Sequence, residues 1–404
     1  MTITLQLIRD TDTGAIGQAA DAWDRLAAAL DDRLDEFTSD ARDLPDVWPS
    51  GVDAAKRAVA LRREIADVHE PCQRQVGGLD GIPADDRDEA NRLALARQKE
   101  EVLARMDVER GNLPELREQM QRITKVEEAL GKLGDRGYLL AVDTEAYGGH
   151  GTVAIAVGNP DTARHTGVWV PGLSTTLYGS MDDNMDRVTR MNEAADRLTG
   201  GRRGDVSTVY WLGYDAPDLD NASVLVDGRS ETARDPYLGF MNGLRATHEG
   251  EPGHLVAMGH SYGSTVVGEA ARTGNLPVDD IVVAGSPGMH VPGADQLMSD
   301  TQHVWAGAGS TDPVADAKFA EPWDKILFPG AAPAVWALET AADATHGDAP
   351  TSGGFGGNNW VADTGGHTSY WEPDSESLNN QARVLAGRYD KVTLNSGTSP
   401  EAIR

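Results

Sequence analysis

A chain of 404 residues, 40% hydrophobic and 25% charged, is long enough for two or three domains and has the composition of a soluble globular protein. With 36 basic against 64 acidic residues its formal net charge is -28, which repels phosphate backbones and anionic headgroups over a Debye length of ~8 Å and excludes nucleic acid and acidic membranes as expected partners. Cys72 is the single cysteine, so neither an intramolecular disulfide nor a cysteine metal site is available, and no cofactor is expected.

The start, "MTITLQLIRDTDTGAIG", lacks the basic-then-apolar pattern of a signal peptide, and no run of about 18 apolar residues follows anywhere. A cytoplasmic address is the default expectation, with signal-peptide-independent export left open. From Ile16 to about Leu133 apolar residues recur at helical spacing: Ile16, Trp23, Leu26, Leu30, Leu34 and Phe37, then Val52, Ala55, Val59 and Val68. Further runs carry Leu95, Val102, Leu103 and Met106, then Leu116, Met120, Ile123 and Leu130, with Asn112-Leu113-Pro114 as a helix start. Four or five amphipathic helices predict an all-α bundle or hairpin domain over 1–133, broken by "VGGLDGIPADD" at 76–86.

After "GKLGDRGY" the period changes to short apolar runs, predicting strands at 138–143, 152–157, 166–171, 207–213, 254–259, 280–284, 302–307 and 359–363. Helical stretches intervene from the third strand on, one of them at 184–199. Alternation of this kind implies a mostly parallel eight-stranded sheet covered by helices, an α/β domain over 134–395 with a tail at 396–404. The first two strands read as an antiparallel edge.

The loop after the third strand is "VPGLSTTLYG". Pro171 has no N–H, Gly172 permits close approach to a substrate, and the Leu173 N–H is the expected oxyanion donor, with Ser174 or Thr175 as alternatives. The fifth strand, "HLVAMG", runs straight into "HSYG" and then a helical run carrying Val266, Val267 and Ala270. This is the strand, turn and helix of a nucleophile elbow. Ser261 stands between Gly259 and Gly263, and Tyr262 supplies the other oxyanion N–H. His260 lies inside the turn, as a residue that shapes it and lines the substrate site.

Ser286 is a rival in "AGSPG", but Pro287 behind it cannot donate an N–H, and no helical run follows. A serine hydroxyl needs a base, and the base needs an acid to fix its tautomer. Asp312, in "STDPV" at the end of the seventh strand, is the expected acid, with Asp295 as substitute. His367, in "GGHTSYW" past the last strand, is the expected base, while His346 in "DATHGDAPTSGGFGG" reads as a solvated loop residue. Asp143, Glu145 and His150 share one loop without a further clear ligand, and no metal site is expected.

These residues resemble the α/β-hydrolase superfamily across about 134–395, carried by Ser261 in "GHSYG", Asp312 in "STDPV", His367 in "GGHTSYW" and the "VPGL" loop. More narrowly the chain is similar to a group of actinobacterial α/β-hydrolases with a helical N-terminal extension, through "TLQLIRD" and "AADAWDRL". The resemblance implies the α/β-hydrolase fold and a serine hydrolase of esterase or lipase type, acting on a small-molecule or lipid ester. Peptidase and acyltransferase chemistry use the same constellation. Only about twenty residues separate the sixth and seventh strands, too few for a cap domain. The stretch from Val314 to Asn358 carries apolar residues, Phe328 and Trp336 among them, as candidate walls of an acyl pocket. In the helical half, Trp48-Pro49-Ser50-Gly51 resembles the W-x-G turn of helical-hairpin proteins exported by type VII systems, departing by one residue. It reads first as a packed helix–helix turn. The other reading is an interaction or secretion-related protein whose helical half binds a protein partner.

Overall fold

The structure, a computed structural model, describes residues 81–200, 204–217, 228–298, 300–312, 314 and 346–395. The expectations placed on Trp48, Cys72, Phe328 and Trp336 lie outside the described residues.

Eight strands form one sheet: β1 (Gly137–Asp143), β2 (Thr152–Val157), β3 (His165–Val170), β4 (Val206–Leu212), β5 (His254–His260), β6 (Asp280–Ala284), β7 (Val304–Gly307) and β8 (Asn358–Asn359). Their order is β1-β2-β4-β3-β5-β6-β7-β8. The strand β2 runs antiparallel to both its neighbours, and every pair from β4 through β3 to β8 is parallel. All seven residues of β4 are buried, as a strand covered on both faces requires. Each buried aliphatic side chain there contributes about 1.5–3 kcal/mol relative to exposure.

The last strand is shorter than the expected 359–363. Trp360 N–H still donates to Ala306 O, but Val361 N–H turns to Thr393 O, and Trp360 bridges Leu394 antiparallel. The returning chain thus takes over the sheet's edge after two residues, which leaves little open strand for unwanted pairing.

Six helices of nine residues or more are described: α1 (Ala84–Val108), α2 (Leu113–Leu133), α3 (Leu177–Leu198), α4 (Gly228–Thr247), α5 (Gly263–Ala271) and α6 (Glu376–Leu385). Two successive residues of β4 show that both faces are covered. Tyr210 meets Asn184 of α3, while the Trp211 ring packs on Tyr237 and Phe240 of α4. The helix α3 starts earlier than expected, because Thr176 accepts from Gly179 N–H at 2.9 Å and caps it. In α2, Leu116, Ile123 and Leu130 of the predicted stripe are buried, with Val126 beside them, while Met120 is only partly buried.

The polar residues of α1 have a different task. The edge strand β1 has a register shift between Leu139 and Ala141, and α1 lies along it. Arg87 Nε donates to Leu140 O at 2.8 Å, Asn91 Nδ2 donates to Leu139 O at 2.9 Å, and Asp88 accepts from Leu139 N–H. Side chains so satisfy backbone groups that the strand cannot pair itself. No helix among the described residues is long and apolar enough to cross a membrane.

At the start of β6, Asp280 is wholly buried. Its carboxylate accepts from His254 Nε2 at 2.6 Å, His303 Nδ1 at 2.9 Å, Trp305 Nε1 at 2.8 Å and the Tyr389 hydroxyl at 2.5 Å. This cluster ties β5, β6, β7 with the turn before it and the segment at Tyr389 together at one end of the sheet; the candidate site occupies the other.

Candidate active site

Ser261 stands between β5 and α5 with φ +53°, a left-handed conformation that costs a non-glycine residue of order 1–3 kcal/mol. The surroundings hold it there: its N–H donates to Ala284 O at 3.1 Å, and its carbonyl accepts from Ser264 N–H at 3.0 Å. Glycine on either side is a steric demand. A Cβ at 259 would lie 2.7 Å from Ser264 Cα, and one at 263 would run into the Val170 and Pro171 carbonyls.

The loop after β3 comes against this turn. A Cβ on Gly172 would stand 2.6 Å from Ser261 Cβ and 3.1 Å from its Oγ, so only glycine permits the approach. Ser174, one of the alternative donors, has its N–H committed to Pro217 O at 2.9 Å. Thr175 Oγ1 donates to Gly172 O at 2.8 Å and braces the loop from within. Among the described residues the Leu173 N–H has no hydrogen-bond partner.

Asp312 follows β7 and is 1% exposed. His367 Nδ1–H donates to its two oxygens at 2.9 and 3.0 Å. Burial pushes the Asp312 carboxyl up, but the bonds from His367, Tyr370 and Val314 N–H outweigh it and hold the group below the ordinary carboxylate value. With Nδ1 occupied, Nε2 is the basic nitrogen of His367. Ser261 Oγ has no hydrogen-bond partner among the described residues. Bonds of that kind commonly tighten only when substrate binds.

Gly285 explains how the pair fits beside the turn. It has φ +58°, and a Cβ there would be 2.6 Å from Asp312 Oδ2 and 3.1 Å from His367 Nδ1. Since Ser261 N–H is bonded to Ala284 O, the residue before Gly285, the Asp–His pair rests on the segment that also anchors Ser261.

His260 is buried, with its ring 4.7 Å from that of His367 and packed against Trp169 and Trp371. Its Nε2–H donates to the His367 carbonyl at 2.7 Å. Burial, then the nearness of His367 and Arg187, drives its pKa far below the ordinary value, so it stays neutral. The structure therefore places it behind the expected base, in contact with His367.

Ser286 is tied into a buried turn, with Oγ 2.6 Å from Ser264 Oγ and 3.1 Å from Gly288 O. Asp295 is exposed on a short turn and makes no hydrogen bond to His367 among the described residues. One expectation is overturned: His346 is not solvated but 2% exposed, with Nδ1 2.8 Å from His290 Nε2. Gly288 permits this burial, since a Cβ there would run into the His346 carbonyl, while Gly353, Gly354 and Gly356 further along the loop are exposed. Asp143, Glu145 and His150 each have separate partners, respectively the 145–146 amides, Arg122 and Asp215.

Tyr370 was not anticipated. Its hydroxyl donates to Asp312 Oδ2 and accepts from Gly309 N–H at 2.9 Å. Burial and the adjacent carboxylate raise its pKa, so it remains a donor. Its place three residues after His367 in "GGHTSYW" is the only sequence signal.

Residues 148–321 match the family model described as Alpha/beta hydrolase. An uncharacterized protein of Mycobacterium tuberculosis is 31% identical over 267 residues, 63% of this chain and 40% of that protein, so the chain spans less than half the length of that relative. Another uncharacterized protein of the same species is 34% identical over 182 residues, 44% of this chain and 68% of that protein. The crystal structure of the esterase LipW from Mycobacterium marinum aligns at 11% identity with a TM-score of 0.34, covering 73% of this chain and 90% of that one.

Proposed function

The chain belongs to the α/β-hydrolase family, and from that premise we propose that it is a serine hydrolase that cleaves carboxylic esters through an acyl-enzyme on Ser261. The observation that carries the reading is the pairing of a left-handed Ser261 at a strand-to-helix turn with a buried Asp312–His367 couple resting on the same Ala284–Gly285 segment.

In this mechanism His367 Nε2 takes the Ser261 proton as Oγ attacks the ester carbonyl carbon. The oxyanion is held by the N–H groups of Tyr262 and Leu173, with the positive end of α5 behind it. The tetrahedral intermediate collapses, and the alcohol leaves with the proton from His367. Water, deprotonated by His367, then attacks the acyl carbon, and a second collapse frees the acid and returns the proton to Ser261. Asp312 keeps the imidazole in its Nδ1–H tautomer and stabilises the imidazolium. Gly172 lets the substrate carbonyl approach.

The test is labelling with a fluorophosphonate probe, followed by turnover of p-nitrophenyl esters of increasing chain length. Labelling lost in Ser261→Ala and His367→Ala but kept in Ser286→Ala is expected, with turnover in the first two reduced by roughly 10³–10⁶. A folded native protein that takes no label, or a Ser261→Ala variant that still does, overturns the reading.

A further inference from the structure

Behind the two candidate oxyanion donors lies a buried row of rings that the triad does not use. The Tyr214 ring is stacked on that of Tyr262, with centroids 6.4 Å apart and planes 13° from parallel. The His346 and Tyr262 rings meet edge-to-face at 5.8 Å, and His290 is stacked on His346 at 5.1 Å. The row ends on Glu269 of α5, whose Oε1 accepts from His290 Nδ1–H at 2.6 Å. Glu269, His346, Tyr262 and Tyr214 are each no more than 2% exposed.

The row reaches the oxyanion elements at two members, Tyr214 at one end and Tyr262 beside it. The Tyr214 hydroxyl donates to Pro171 O at 2.7 Å, and Pro171 precedes Gly172-Leu173. Tyr262, in contact with the rings of Tyr214 and His346, follows the nucleophile. A buried carboxylate is costly unless it is paired, and Glu269 is paired twice, with His290 and with Arg272 at 2.6 Å. That pairing has a geometric consequence: it fixes His290, which fixes His346, which bears on Tyr262.

We infer that Tyr214 and the Glu269–His290–His346 relay are positioning residues that set the spacing between the Tyr262 and Leu173 amides, so that both aim at one oxyanion. The inference rests on Ser261 being the nucleophile. Its energetic basis is that an oxyanion donor is worth about 10²–10³ in rate only when it points at the developing charge. Displacement by about 1 Å forfeits much of that.

The test compares the full-length protein with Tyr214→Phe, Glu269→Ala and Glu269→Gln on p-nitrophenyl acetate, with rates divided by sites titrated with the fluorophosphonate. Tyr214→Phe keeps the ring and loses the bond to Pro171. In Tyr214→Phe and Glu269→Ala, kcat per titrated site is expected to fall about tenfold or more, with KM within about twofold and an unchanged pH midpoint. Glu269→Gln, whose amide oxygen still accepts from His290, recovers most of the loss. A purely structural role would lower the number of titrated sites and leave kcat per site within about twofold of native, which overturns the inference. If one position yields no folded protein, the other decides. A native protein that takes no label sinks the esterase reading and this inference with it; a labelled native protein with unaffected variants sinks only the inference.

Discussion

His260 Nε2–H donates to the backbone carbonyl of His367 across 2.7 Å, so the residue before the proposed nucleophile holds the loop that bears the proposed base. The elbow and the base are thereby one mechanical unit.

His260→Phe keeps a ring against Trp169 and Trp371 but leaves the His367 carbonyl without its donor. A drop in kcat of about tenfold with KM little changed is expected, together with a loss of about 1–3 kcal/mol from the unsatisfied acceptor. Steady-state kinetics and urea unfolding check the two effects separately.

Gly172→Ala and Gly285→Ala each add one methyl group at the site. The first sets a Cβ 2.6 Å from Ser261 Cβ, the second 2.6 Å from Asp312 Oδ2 in a backbone conformation with φ +58°. Both variants are expected to lose at least about 10²-fold in kcat/KM. Gly285→Ala also loses about 1–3 kcal/mol of stability from its left-handed backbone. Full esterase turnover in either would mean that the substrate reacts elsewhere.

Tyr370→Phe removes the hydroxyl shared by Asp312 and Gly309. The Asp312 carboxyl then rises toward its ordinary value, since one of the bonds that lower it is gone. Turnover at neutral pH should fall several-fold, roughly 3–10-fold, with the acid side of the kcat profile moved to higher pH. A profile superimposable on that of the native protein would remove Tyr370 from the site.

Acid should destabilise the fold in two windows. Burial lowers the His165 pKa from 6.5 to about 4, so between these values the unfolded chain binds the proton first and stability falls as pH falls. Asp280 is buried, which raises its carboxyl, but its bonds to His254 and His303 prevail and lower it from 3.8 to about 2. Its contribution is present above 3.8 and is lost as pH falls through about 2. Urea midpoints should show both windows, with His165→Gln flattening the first. Asp280→Asn should flatten the second and cost about 3 kcal/mol at neutral pH.

The elbow is legible in sequence because its requirement is local: two glycines, a strand before and a helix after occupy one short stretch. Asp312 and His367 can be placed because each follows a strand end. Tyr370 and the Glu269–His290–His346 relay are not legible. Their partners lie 58, 21 and 56 residues away, and hydroxyls and imidazoles in glycine-rich loops carry no period that reveals burial. The eighth strand is overestimated for a related reason: Trp360 and Val361 favour a strand, but Val361 pairs with Thr393, a choice made by tertiary contact. Likewise the polar side chains of α1 look like a solvated face until β1 requires partners for Leu139 and Leu140.

The bond from His260 to His367 closes a loop of 107 residues, and the one from Asp312 to His367 closes 55. Contacts of such span form slowly, because closure entropy is lost before the contact repays it. During folding, helices and the β5–β6 pair, in which Val256 faces Asp280, can assemble while the centre is still in pieces. Catalytic competence would then emerge as the last event of folding, a clock for completed topology that helix content cannot provide.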